Sequence, residues 1–382
     1  MGGKRETKVI KGQKKGWMWL ILCLSFVLGF YGVGYAKVSG PCANCHTMHY
    51  SQTPWPSQWP TSTPSGATGP FRALTVSDCV GCHSGSSAIK TGNIPVVNMT
   101  TDPGTTGPGH TLAGGNFYWV VNGDDTAGHN VSYLVGQDSN LGLTPPGWDP
   151  SATSGFTFGQ VAGGATTWTT QLTCAGTYGC HGDHTQADDF AAIYGAHHTD
   201  DSTIDGSSVG KSYRFLAGIL GIEDSDWEYT ASDNSTDHNE YKGANGNASY
   251  ADKTTISYLC AECHGYFHSQ IGGSTHPWLR HPTDIALPGS GTEYYYYNGG
   301  TGTGNPYSVV APVGEVDLSN GVQSTVNPGT GTNDIVLCIS CHRAHGSENA
   351  DLLRWDYSTC TAGSTTSTGC GCFICHTQKG VY

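Results

Sequence analysis

Five times along this chain two cysteines stand with two residues between them and a histidine directly after the second: Cys42, Cys45 and His46; Cys79, Cys82 and His83; Cys260, Cys263 and His264; Cys338, Cys341 and His342; Cys372, Cys375 and His376. Two thiols at this spacing match the two vinyl groups of one porphyrin. The adjacent imidazole then falls beneath the ring as the proximal ligand of its iron, so each segment reads as a c-type haem attachment site. Structural zinc needs four ligands assembled from paired half-sites, and it has no use for a histidine after every pair. A disulfide framework has no use for one either.

A sixth segment keeps the order but stretches it. Cys174 and Cys180 precede His181 with five residues between the thiols, Ala-Gly-Thr-Tyr-Gly. The two glycines let the longer loop bulge from the ring edge while both sulfurs still reach their vinyls, and we read it as a haem site, with a disulfide beside an unrelated histidine as the alternative. Six covalently attached haems c are expected, five at minimum. Cys360 and Cys370 remain, nine residues apart in a Gly/Ser/Thr-rich stretch, and a disulfide is their simplest use. The alternative is an attachment loop in which Cys370 replaces Cys372 and ends at Cys375 and His376. Cys23 is filler in an apolar run.

Each iron needs a second axial ligand. Of four methionines, Met1 and Met18 lie in the first 36 residues, leaving only Met48 and Met99. Histidine is more abundant: beyond the six motif residues stand His49, His110, His129, His184, His197, His198, His238, His268, His276, His281 and His345. Bis-histidine ligation of every haem is thus within supply. It leaves no iron position open to a substrate, so electron transfer rather than catalysis is expected. No Cys-x-x-Cys-Lys segment is present to favour a multihaem reductase. His49, His184, His268 and His345 follow a motif histidine by three or four residues. On a helical turn such a residue projects to the same side as the first, whereas axial ligands approach from opposite faces, so it must serve a different haem. His129 and His281 are the expected ligands from loops, with His276 close behind. His197, His198 and His238 are reserves, any of which displaces His184, and His110 reads as exposed.

Residues 1–15 hold six Lys and Arg, and residues 17–36 carry no charge, the pattern of an export signal. The domain division is accordingly 1–36, signal peptide, and 37–382, multihaem cytochrome. A retained membrane anchor is the alternative reading of the leader, because twenty apolar residues span a bilayer. Removing the leader takes six of 17 basic residues and one of 30 acidic ones, leaving 11 against 29, a net charge near −18. Such a chain repels nucleic acid and anionic lipid. An extracellular or cell-surface location is expected, the periplasm being the alternative, with membrane contact only through the leader. With 55 Gly and few charged residues, the fold should be mostly irregular, with short helices at the haem motifs and few short strands around a continuous haem chain. Residues 115–123 read as one of those strands, and 61–69 and 361–369 as loops.

The segments Gly40-Pro41-Cys42 to His49, Gly128-His129-Asn130, Leu279-Arg280-His281-Pro282 and Cys338 to His345 together resemble the filament-forming hexahaem c-type cytochromes of metal-reducing bacteria. The resemblance runs across most of residues 37–382. It implies protomers stacked into an extracellular nanowire, with copies of the chain as partners and other cytochromes or extracellular electron acceptors at its ends. It also implies that His49 coordinates the iron bearing His342 in the neighbouring protomer. The Cys174/Cys180 gap, His197-His198 and His238 depart from the family pattern, which leaves the ligand of the third haem open.

Overall fold

The structure is a computed structural model and describes residues 1–3, 37–38, 40–48, 72–90, 93–150, 166–246, 252–269, 281–331, 333–363 and 369–379. The leader after residue 3, His49, His276 and the 61–69 tract lie outside them. Regular structure comes in fragments. Among the described residues the α-helices run only four to six residues: α1 (Cys79–His83), α2 (Tyr118–Val121), α3 (Asp189–Ala192), α4 (Ile256–Ala261), α5 (Gly265–Ser269) and α6 (Cys372–Cys375). Between them run 3-10 turns such as Cys42–Asn44, Ala196–His198, Glu293–Gly299 and Cys338–Ser340. The strands of the described residues are two residues long and pair in twos. This is the loop-rich architecture that glycine and short polar residues impose, since they interrupt any longer element.

The turns that do form have local causes. Asp78 caps α1 by accepting from the Gly81 N–H at 2.7 Å, so the Cys79 motif starts on a satisfied helix end, and Thr255 caps α4 by accepting from the Tyr258 N–H at 3.1 Å, so the Cys260 motif begins in the last turn of a capped helix. Residues 115–123, expected as a strand, instead hold α2. The Asn116 side-chain oxygen accepts from the backbone N–H groups of Tyr118, at 3.1 Å, and Met99, at 2.9 Å, and this local partner starts a turn.

Apolar side chains are buried in separate clusters rather than one core. One gathers Tyr213, Ile219, Tyr241, Leu259, Ile335 and Leu337. Another gathers Leu287, Tyr297, Tyr307, Val313 and Val326. The small strand pairs connect these clusters to the motifs. Ile335–Val336 pairs antiparallel with Ile285–Ala286 and leads directly into Cys338. The hairpin of Ile89–Lys90 and Ile94–Pro95 follows α1 and folds back on it. At the start of the expected mature chain, Lys37 N donates to Thr199 O at 2.9 Å, Val38 N donates to His197 O at 3.1 Å, and the Lys37 ammonium meets Glu223 at 2.7 Å. Among the described residues no helix is long and apolar enough to cross a membrane.

Candidate haem-binding centres

The motifs share one backbone device. The histidine N–H donates to the carbonyl of the first cysteine in His46 (2.8 Å to Cys42), His264 (2.9 Å to Cys260), His342 (3.2 Å to Cys338) and His376 (2.8 Å to Cys372). The stretched segment makes the same bond, from His181 N to Cys174 O at 3.1 Å, although six residues rather than three separate the pair. Gly176 permits this. Its φ of +84° lies in the left-handed region, and a Cβ there would come within 2.5 Å of the Gln186 carbonyl oxygen. All twelve motif cysteines are free thiols, while Cys360 and Cys370 form a disulfide with a Cα–Cα distance of 5.2 Å.

Imidazoles gather in pairs. Ring centroids lie 5.9 Å apart for His46 and His198, 6.5 Å for His83 and His197, 6.3 Å for His181 and His345, 6.3 Å for His264 and His129, and 5.9 Å for His376 and His281. Two imidazoles on opposite sides of one iron have centroids about 6 Å apart, each being about 2 Å of Fe–N bond plus about 1 Å of ring from the metal. Every pair contains one motif histidine and one other. His342 faces no imidazole among the described residues, and His49, the ligand expected from a neighbouring copy, lies outside them.

The ring nitrogens are sorted as a metal ligand requires. Nδ1 donates to a backbone carbonyl in His46 (Ala73, 3.0 Å), His83 (Pro95, 2.9 Å), His129 (Ala344, 2.7 Å), His181 (Arg214, 2.9 Å), His264 (Pro146, 2.7 Å), His281 (Pro282, 2.9 Å) and His342 (Asp351, 2.8 Å). A carbonyl can only accept, so the proton is fixed on Nδ1 and Nε2 keeps its lone pair. Burial lowers His181 and His264 to about 4, and His345, which faces His181, to about 3.

Three other histidines are engaged elsewhere. His184 is buried with Nδ1 2.9 Å from the Glu262 carboxylate and Nε2 3.2 Å from Cys180 O. Burial alone would lower its pKa, but the Glu262 hydrogen bond and charge raise it overall. His268 lies buried 3.3 Å from the Asp284 carboxylate. His238 stacks on Tyr307 at 3.8 Å, and both its nitrogens meet backbone carbonyls, of Asn239 and Gln323. Of the expected distal set, His129, His281 and His345 thus stand opposite motif histidines, whereas His184 and His268 stand opposite carboxylates. His197 and His198, reserves in the sequence reading, occupy the two places facing His83 and His46.

Haem brings two carboxylates as well as an iron, and the described residues suit both. Arg343 and Arg354 are buried, 4 % and 7 % exposed, yet their guanidinium hydrogen bonds run to the neutral carbonyls of Ala113, Ile339 and Val309. The Arg343 Nε has no hydrogen-bond partner, and burial followed by the Arg354 charge pulls Arg343 down to about 9. Two buried cations that repel each other call for an anion between or beside them. Paired thiols, paired imidazoles and buried guanidiniums together are the donor set of covalently held haem.

A family model described as a doubled Cys-x-x-Cys-His motif matches residues 331–381. The C-type cytochrome OmcS of Geobacter sulfurreducens is 24% identical over 390 residues, covering 88% of this chain and 82% of that protein. Among solved structures, the Outer Membrane Cytochrome S filament from the same organism aligns with a TM-score of 0.44 at 19% identity, covering 91% of this chain and 94% of that one. A second structure, of the OmcS nanowires, aligns with a TM-score of 0.41 at 19% identity, covering 91% and 95%. The similarity to the C-type cytochrome OmcS thus runs over most of this chain's length.

Proposed function

We propose that this protein is an exported hexahaem electron carrier that polymerises through its own copies and delivers electrons to extracellular acceptors. The five imidazole pairs at 5.9–6.5 Å are the observation that supports it most directly. The proposed axial pairs are His46 with His198, His83 with His197, His181 with His345, His264 with His129, and His376 with His281. His342 takes His49 of a neighbouring copy. Cys42/Cys45, Cys79/Cys82, Cys174/Cys180, Cys260/Cys263, Cys338/Cys341 and Cys372/Cys375 hold the rings covalently. Each haem supplies an iron that gains or loses one electron.

The chain's own contribution is to hold, orient and insulate. Carbonyl acceptors at Nδ1 lock the plane and tautomer of seven of these imidazoles, so little rearrangement accompanies a change of charge there. The paired imidazoles would offer each bound iron two nitrogens and leave no position for a small ligand, which separates a conduit from a reductase. Adjacent His197 and His198 sit on one 3-10 turn and face different motif histidines, which ties the first two centres together. The 344–346 segment does the same for two further centres: Ala344 O accepts from His129 while His345 faces His181.

Intact mass, optical and EPR spectra of the exported polymer test the reading. Six haems, all low-spin in the polymer and unreactive to cyanide, are expected. A colourless protein, or a polymer with a high-spin iron that binds cyanide, would overturn it.

A further inference from the structure

Seven imidazoles of the centres give their Nδ1 proton to a backbone carbonyl, whereas at the last motif histidine the acceptor is a carboxylate. His376 Nδ1 lies 3.2 Å from the Glu293 Oε1, a carboxylate contributed by a turn 83 residues earlier in the chain. Glu293 opens the Glu293–Gly299 turn that packs on α6, and its side chain is 11 % exposed. Thr377 Oγ1 donates to the Glu293 backbone carbonyl, which pins the same turn beside the motif. Lys379 places its ammonium 3.5 Å from the same Oε1. The second carboxylate oxygen is buried without a hydrogen bond, so the charge of the group is directed at the imidazole and the ammonium.

A carboxylate is a stronger acceptor than an amide carbonyl, and charge-assisted bonds strengthen further where water is excluded. An imidazole whose Nδ1 proton is drawn toward a carboxylate is a more electron-rich donor through Nε2, and it favours the higher oxidation state of the metal it ligates. We propose that Glu293 is a positioning residue, acting through His376, that makes the centre at Cys372/Cys375 harder to reduce than it would be with a carbonyl acceptor. Lys379 moderates the same effect by neutralising part of the carboxylate charge. This inference rests on the electron-carrier reading.

The two residues have opposite expected signs, which a merely structural role would not produce. Redox titration of purified holoprotein, followed by EPR of the individual ferric centres, should show one potential moving upward in Glu293→Gln. That substitution keeps the shape and an acceptor while removing the charge. The same centre should move downward in Lys379→Met, with the others unchanged. Unchanged potentials in Glu293→Gln, or several moving together, overturn the proposal while leaving the electron-carrier reading in place. A wild-type protein whose Cys372/Cys375 peptide carries no haem by mass overturns the reading itself, and the proposal with it.

Discussion

A buried imidazole serves iron only if one ring nitrogen keeps its lone pair and no nearer partner competes for it. His184 fails on both nitrogens, one taken by Glu262 and the other by the Cys180 carbonyl. His198, exposed at the end of the Ala196–His198 turn, instead stacks opposite His46. The two substitutions should therefore behave differently. In His198→Ala, one ferric haem is expected to turn high-spin. In His184→Ala, the spectrum should stay low-spin while stability falls by about 3–5 kcal/mol, because Glu262 is left buried without its partner. EPR and thermal unfolding of the two holoproteins check this, and a high-spin signal from His184→Ala would return ligation to that residue. The sequence shows the motif histidines because covalent attachment fixes them locally. It does not show that Glu262, 78 positions away from His184 in the chain, occupies that imidazole, which is what favours His198 as the proposed ligand.

Among the short elements, the crossing of residues 114–116, 127–129 and 344–346 is the tightest. Gly346 bridges to both Gly115 and Gly128, and a Cβ on it would come within 2.7 Å of the Ala127 carbonyl oxygen and 2.8 Å of the Asn116 carbonyl oxygen. His129 and His345 flank this crossing, so the spacing of backbones there sets the position of two distal imidazoles at once. Gly346→Ala is expected to destabilise the holoprotein by about 1–3 kcal/mol and to raise the high-spin signal at two centres together. EPR that shows only one affected centre, or none, would break the link between the crossing and the pair. Element boundaries of this kind were the least legible part of the chain. The glycine count announces irregular backbone, but the strand expected at 115–123 holds a helical turn beside an Asn116 side chain that accepts from the Tyr118 N–H, and no hydrophobic alternation reveals a side chain that bonds to Met99 seventeen residues upstream. The stretched Cys174–His181 segment was legible for the opposite reason: its glycines are where the backbone has to turn, and the order of thiols and imidazole survives the insertion.

For the whole molecule, assembly works against charge. Without the leader the chain carries 11 basic and 29 acidic residues, and every haem adds carboxylates that Arg343 and Arg354 can offset only locally. Like-charged copies repel over about 10 Å at 0.1 M salt and about 3 Å at 1 M, so a polymer of this protein needs a specific bond to hold its subunits. His342, with no imidazole opposite it among the described residues, marks where that bond belongs, and His49 of the next copy is the proposed donor. Screening and ligation then make separable predictions. Filament yield of the wild type, followed by light scattering and electron microscopy, should rise with ionic strength. His49→Ala should give no filaments at any salt while keeping six haems by mass, with the centre at Cys338/Cys341 alone turning high-spin. Added imidazole should return that centre to low spin without restoring filaments, because it fills the coordination position and links nothing. Wild-type filaments from His49→Ala would show that surface contacts, rather than a shared iron, overcome the repulsion.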